Sequence, residues 1–302
     1  MKMLQQPRVK LCAFVLLLCG TVLYAQAPLE VRNAAGLRLL VTNKSNPALA
    51  IVLPGYPDSD RSIEVIFPEH VTAKRHGSSE PEHLYLFSGG QQAGKPVWRQ
   101  TKNSLEYERD IDGGVHLLAR ATLEDDGVLF QYEFQNRSDA AYDMIYAVTD
   151  PRLTGFFQDV RLERTYVHHK EGFDLLASET PARLTMPLSQ WLPSRYLASF
   201  TWPVPKNLVE RRSDGITYYN KSRPVDEPMI ATVSEDRQWV VASFTRTAGN
   251  VWSNPELTCQ HVDPETSVEV GQKAVTEVMI LIFKGTLDDV LRKVRQQRGR
   301  LH

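Results

Sequence analysis

Val128, Phe130, Tyr132 and Phe134 alternate with Leu129, Gln131, Glu133 and Gln135. In an extended chain this puts four large apolar side chains on one face, so the segment reads as a strand that covers a core on one side. The preceding segment repeats the period, with Val115, Leu117, Ala119, Ala121 and Leu123 against His116, Arg120 and Thr122. Asp126-Gly127 between them is expected to supply the positive φ of a tight hairpin, and Asp112-Gly113-Gly114 separates the pair from a third strand over 105–111. The three strands are predicted to form an antiparallel meander.

Further strands are predicted at 37–42, 50–53, 62–67, 142–149, 160–168, 195–201, 229–233, 239–245 and 275–283. The run Val278-Met279-Ile280-Leu281-Ile282-Phe283 has no polar residue on either face. It reads as a central strand covered on both sides, which requires stacked layers. Prolines such as Pro54, Pro81, Pro193, Pro203, Pro224 and Pro228 fall between these segments, where no ladder hydrogen bond is lost. A helix is predicted only at the C-terminus, where Leu287, Val290, Leu291 and Val294 share one stripe. Thr286 is its expected cap, Asp288 and Asp289 favour its first turn and precede Arg292 and Lys293 by four residues, and Gly299 is a stop signal. The fold class is all-β: an antiparallel β-supersandwich with a short C-terminal helix.

Lys2, Arg8 and Lys10 precede an apolar run over 11–23, and Ala25 and Ala27 follow. Residues 1–25 therefore read as a secretory signal peptide, with 26–302 as a single β-domain that is secreted or periplasmic. The apolar run is too short for a comfortable membrane span, and no later segment offers one. Removing 1–25 takes three cationic and no acidic residues, leaving 32 Lys and Arg against 36 Asp and Glu. That mildly acidic, mixed balance argues against nucleic acid as a partner. Cys12 and Cys19 fall in the leader, so Cys259 is the one cysteine left and an intrachain disulfide is excluded. Stability then has to come from a large core.

The segment Gly127-Val128-Leu129-Phe130-Gln131-Tyr132-Glu133-Phe134-Gln135-Asn136-Arg137-Ser138-Asp139, followed by the strand at 142–149, resembles the galactose mutarotase-like supersandwich of aldose 1-epimerases and of domains in many polysaccharide-active enzymes. The resemblance spans roughly 105–283. Active members of that family place a catalytic His shortly after the second strand and use a late Glu as base. Here the corresponding stretch, Val148-Thr149-Asp150-Pro151-Arg152-Leu153-Thr154-Gly155-Phe156, holds no His, and the epimerase pair is not carried over. What the resemblance still implies is a long concave sheet face that holds carbohydrate.

The densest polar cluster late in the chain is Trp252-Ser253-Asn254-Pro255-Glu256-Leu257-Thr258-Cys259-Gln260-His261-Val262-Asp263. His261 and Asp263 are two apart and face the same way if extended, so they either share a metal or form an oriented acid–base pair; packing within the loop is the plainer alternative. In Tyr166-Val167-His168-His169, adjacent histidines point to opposite faces, and His168 is favoured because Tyr166 shares its face. Trp191, Arg195, Tyr196 and Trp202 crowd one region, rings for stacking sugar C–H faces and a guanidinium for hydroxyls, although such rings also fill β-sandwich cores.

No nucleophile elbow, His-Glu-x-x-His helix or paired-cysteine motif occurs, and nothing demands a cofactor or metal. The reading is thus a secreted carbohydrate-binding or carbohydrate-processing protein, with His168, His261 and Asp263 as catalytic candidates and Trp252, Asn254, Arg195 and Trp191 as substrate contacts. The competing readings are a noncatalytic exported module that binds a protein or polymer, and a metal-dependent hydrolase in which His261, Asp263 and a further ligand converge. A catalytic site would bring His168 or His261 to a carboxylate in one open cleft, whereas a scaffold would bury or scatter them.

Overall fold

In the computed structural model, which describes residues 29–42, 46–54, 62–87, 95–180 and 193–302, the meander is present as Ser104–Ile111, Val115–Leu123 and Gly127–Asn136, all antiparallel. The expected signal peptide and Trp191 lie outside the described residues. The meander continues into a nine-stranded antiparallel sheet. From one edge the strands run Gly172–Leu175, Thr165–His169, Met229–Val233, Trp239–Phe244, Lys273–Lys284, Gly127–Asn136, Val115–Leu123, Ser104–Ile111 and Arg99–Gln100.

The long apolar strand Lys273–Lys284 is central in that sheet and covered on both faces, as its sequence requires. Val278, Ile280 and Ile282 join the large core, while Met279 and Leu281 face a second, smaller core closed by Val290 and Val294 of the helix Leu287–Gln297. Thr286 and Asp289 cap that helix reciprocally. The expected i,i+4 ion pairs are replaced by others: Arg292 folds back on Asp289, and Lys293 reaches Asp126 at the β-hairpin.

On the large-core side Val128, Phe130, Tyr132 and Phe134 are fully buried. Phe67 fills the space between layers, its ring centroid 5.1 to 5.7 Å from those of Phe130, Tyr132 and Tyr107. The two phenols keep partners: Tyr107 donates to the Phe67 carbonyl at 2.6 Å, and the Tyr132 and Thr149 hydroxyls meet at 2.6 Å.

Gly127 does its work differently from the sequence reading. It is absent from the residues with positive φ, whereas Gly113 and Gly114 adopt 88° and 79° as expected. What it permits is close approach, since a Cβ there would lie 2.1 Å from the Ile280 carbonyl oxygen in the adjacent strand. Gly127→Ala must therefore push apart the most extensive strand pair of the sheet. We expect it to cost about 3 kcal/mol, the upper end of overpacking effects, measured as a lowered urea midpoint.

Three smaller sheets pack on this frame. A five-stranded antiparallel sheet has the order Glu30–Arg32, Arg38–Val41, Ala48–Val52, Ser62–Ile66 and Asp150–Arg152. A four-stranded antiparallel sheet has the order Thr266–Val268, Tyr142–Ala147, Val71–Arg75 and Glu82–Leu84. The last has the order Val209–Arg211, Thr217–Asn220, Ser194–Ser199 and Asn250–Ser253, and its Ser194–Ser199 and Thr217–Asn220 strands pair in parallel. That pair departs from the antiparallel rule elsewhere in the fold.

Candidate functional site

The two four-stranded sheets meet at an open pocket of about 270 Å³. One sheet supplies His70, just before the strand Val71–Arg75, and His83 and Tyr146 from strands; the other supplies Arg195, Tyr218, Asn250 and Trp252. Period two decides which side chains reach it. Arg195 and Leu197 face the pocket while Tyr196 and Ala198 point into the core, and Asn250 and Trp252 face it while Val251 is buried. The connection from Asn250–Ser253 to Thr266–Val268 crosses between the sheets and brings Asp263 and Glu265 to the same cavity.

Trp202 completes the wall, half-exposed, because the backbone beneath it is glycine. Its N–H donates to the Gly249 carbonyl at 3.0 Å, and a Cβ on Gly249 would lie 2.2 Å from the indole ring. The Trp202 side chain lies beside the Glu265 carboxyl and favours its charged form. Burial, together with the charge of Asp263, still pushes Glu265 above the ordinary carboxylate range. Across the pocket, burial and the neighbouring His83 lower His70 to about 4, so it is a neutral imidazole at pH 7. The two imidazole rings meet edge to face at 4.5 Å, and His83 Nδ1 is fixed by the Thr72 hydroxyl at 3.0 Å.

Behind the pocket wall lies a second constellation. Trp252 and His261 pair across antiparallel backbone, with hydrogen bonds of 3.0 and 2.9 Å in both directions, and their rings stack at 3.8 Å and 7°. The Trp252 indole donates to Asp263 Oδ2 at 3.1 Å, and Asp263 Oδ1 lies 3.8 Å from His261 Nδ1. On the far side of the ring, Nε2 faces Cys259 Sγ at 3.1 Å and Asp150 Oδ1 at 3.5 Å. Burial opposes protonation of this imidazole, but Cys259, Asp150 and Asp263 around it outweigh burial and raise its pKa. Arg152 Nε donates to the other oxygen of Asp150 at 2.8 Å.

Of the residues singled out in the sequence, Arg195, Trp202, Trp252 and Asp263 line the pocket together. His261 is buried directly behind Trp252, with Asp263 on its ring as the two-residue spacing implied. Asn254 is buried in the turn that follows, its side chain accepting from the Glu256 N–H at 3.2 Å. His168 is not among the pocket-lining residues; it is buried in the nine-stranded sheet, 2.6 Å from Asp226 and edge-on to Phe173. Tyr196 is a core residue stacked on Tyr219. The sequence reading missed His70, His83, Tyr146, Asn250 and Glu265. They sit on short strands or bends, and only the approach of two sheets makes them neighbours.

No protein-family model matches the sequence, and no curated protein matches it. Among solved structures the chain is similar to a galactose mutarotase related enzyme from Lactobacillus acidophilus, at 10% identity over 86% of this chain and 98% of that one, with a TM-score of 0.49. It is also similar to an aldose epimerase homologue from C. elegans, at 11% identity over 86% and 99% of the two chains, with a TM-score of 0.49. A third is the alpha-N-acetylgalactosaminidase of Bifidobacterium bifidum in complex with GalNAc, at 12% identity over 89% of this chain and 39% of that one, again with a TM-score of 0.49.

Proposed function

We propose that this protein binds a sugar ring in the pocket between the two four-stranded sheets and transfers protons on it through Glu265. The observation that carries the reading is the composition of one open cavity. Trp202, Trp252 and Tyr218 offer aromatic faces, and Arg195, Asn250, Asp263, Glu265 and two histidines offer donors and acceptors around them. Sugars present exactly two kinds of surface, apolar C–H faces and a rim of hydroxyls, and such a wall answers both. The proton-transfer part rests on Glu265, whose raised pKa keeps it an acid to higher pH than an ordinary carboxyl, beside the carboxylate of Asp263. The charged, apolar and small-residue order of residues 1–25 supports export, which would place the pocket among extracellular or periplasmic saccharides.

Thermal unfolding of the protein against a panel of mono- and oligosaccharides tests the binding. A ligand present at a hundred times its Kd stabilises the folded state by about 2.7 kcal/mol, a readily measured rise in Tm. Gly249→Ala is the informative variant, because its Cβ would lie 2.2 Å from the Trp202 indole and so displaces that ring from the pocket wall. We expect its Tm without sugar to stay near that of the wild type and its sugar affinity to fall about tenfold or more. No shift with any saccharide, or an unchanged shift in Gly249→Ala, would remove the sugar reading and leave the noncatalytic module.

A further inference from the structure

Three buried side chains behind Trp252 turn ligand atoms toward one point. Asp150, Cys259 and His261 are each about 1% exposed, and their ligand atoms all lie within 4.8 Å of one another. His261 Nε2 is common to both short contacts, 3.1 Å to Cys259 Sγ and 3.5 Å to Asp150 Oδ1. A single Nε2–H serves only one acceptor well, and Asp150 Oδ1 is left without a hydrogen bond of good geometry. A buried carboxylate oxygen that accepts no hydrogen bond gains from a partner closer than the imidazole at 3.5 Å.

We infer that Asp150, Cys259 and His261 form a binding site for a divalent transition metal ion, Zn²⁺ foremost. Thiolate, imidazole and carboxylate are the ligand types this ion prefers, and the two anionic ligands match its charge. Binding displaces the thiol proton and the Nε2 proton. The surrounding contacts suit such a centre. The other ring nitrogen of His261 faces Asp263 Oδ1, giving the carboxylate–histidine–metal order, and Arg152 holds Asp150 Oδ2 so that Oδ1 is the oxygen turned inward. The spacing of His261 and Asp263 leaves open a shared metal or a carboxylate that orients the imidazole; the structure puts Asp263 at Nδ1, on the opposite side of the ring from Asp150 and Cys259.

Backbone register explains the convergence. The segment around Cys259 bridges the strands of Arg152 and Trp252, so Cys259 and His261, two apart, face Asp150 together. An ion there ties the edge strand Asp150–Arg152 to the segment that carries Asp263 and Trp252 into the pocket. The inference does not depend on what the pocket binds.

The test uses the full chain with Cys12→Ser and Cys19→Ser, free of any histidine tag. Metal content is read by mass spectrometry, and chelator-treated protein is then titrated with Co²⁺ alone. The expected result is one metal ion per chain, a near-ultraviolet sulfur-to-cobalt charge-transfer band at one equivalent, and loss of that band in Cys259→Ser. Asp263→Asn keeps the band, because Asp263 is not a ligand. A chain that holds no metal as purified and gives no charge-transfer band when folded overturns the inference, as does a band that survives Cys259→Ser. If Cys259→Ser fails to fold, the wild-type band decides, since Cys259 is then the one thiol present.

Discussion

Glu265→Gln is expected to lower turnover of the proposed sugar substrate by about 10²–10⁴-fold, the usual contribution of a general acid or base, and to leave sugar binding within a few-fold of the wild type. The amide keeps the shape of the side chain and an oxygen that can face the Trp202 side chain, so the wall of the pocket is expected to stay in place. What it removes is the transferable proton. Burial, and then the negative charge of Asp263, raise the pKa of Glu265, so its acid form persists into a range where ordinary carboxyls are ionised. A step that needs this acid therefore slows as pH rises through the raised pKa, and the slowing is absent in Glu265→Gln. Steady-state kinetics against pH, with Kd measured separately by calorimetry, checks both statements; equal losses in binding and turnover would reduce Glu265 to a sugar contact.

Lys221→Met is expected to destabilise the fold by about 3 kcal/mol, the lower end of what breaking a buried ion pair costs. Lys221 Nζ is buried and donates to Asp174 Oδ2 at 2.5 Å and to Ser178 Oγ at 2.7 Å, with Glu179 Oε1 at 3.1 Å. Without the ammonium group, two carboxylates face each other with little water between them, though each keeps roughly a quarter of its surface, which tempers the cost. The same cluster sets an acid limit. Burial would raise Asp174 and Glu179, but hydrogen bonds from Lys221, Ser178 and Ser222 hold both below the ordinary carboxylate range. Groups with a depressed folded pKa contribute stability that is complete above their unfolded pKa, near pH 4, and is lost as pH falls through the folded value. Urea unfolding at neutral and at acid pH should show the wild type losing this contribution and Lys221→Met losing less, because only the hydrogen bonds from Ser178 and Ser222 remain to lower the two carboxyls.

How much of this was legible in the chain depends on the range of the interactions involved. The meander, the two-sided strand Lys273–Lys284 and the capped helix each announce themselves within a dozen residues, because period and capping are local chemistry. Gly127 was legible as a necessary glycine but not for the right reason. Its constraint is the Ile280 carbonyl, more than a hundred and fifty residues away in the chain. His261 and Asp263 were correctly placed on one side of an extended segment, yet nothing in that spacing reveals Asp150 on the other side of the imidazole.

The pocket shows the same division. Trp252, Arg195, Trp202 and Asp263 stood out as chemistry-bearing residues, whereas His70 just precedes the strand Val71–Arg75 and His83 lies in the three-residue strand Glu82–Leu84, too short to give a period. Alternation of apolar and polar residues by itself determined that this chain is an all-β, layered molecule, because side-chain direction along a strand is fixed by the backbone. Which side chains share a cavity, and which three turn their lone pairs to one buried point, was decided only when separate sheets packed together, since those distances depend on strand order and register between segments far apart in the chain.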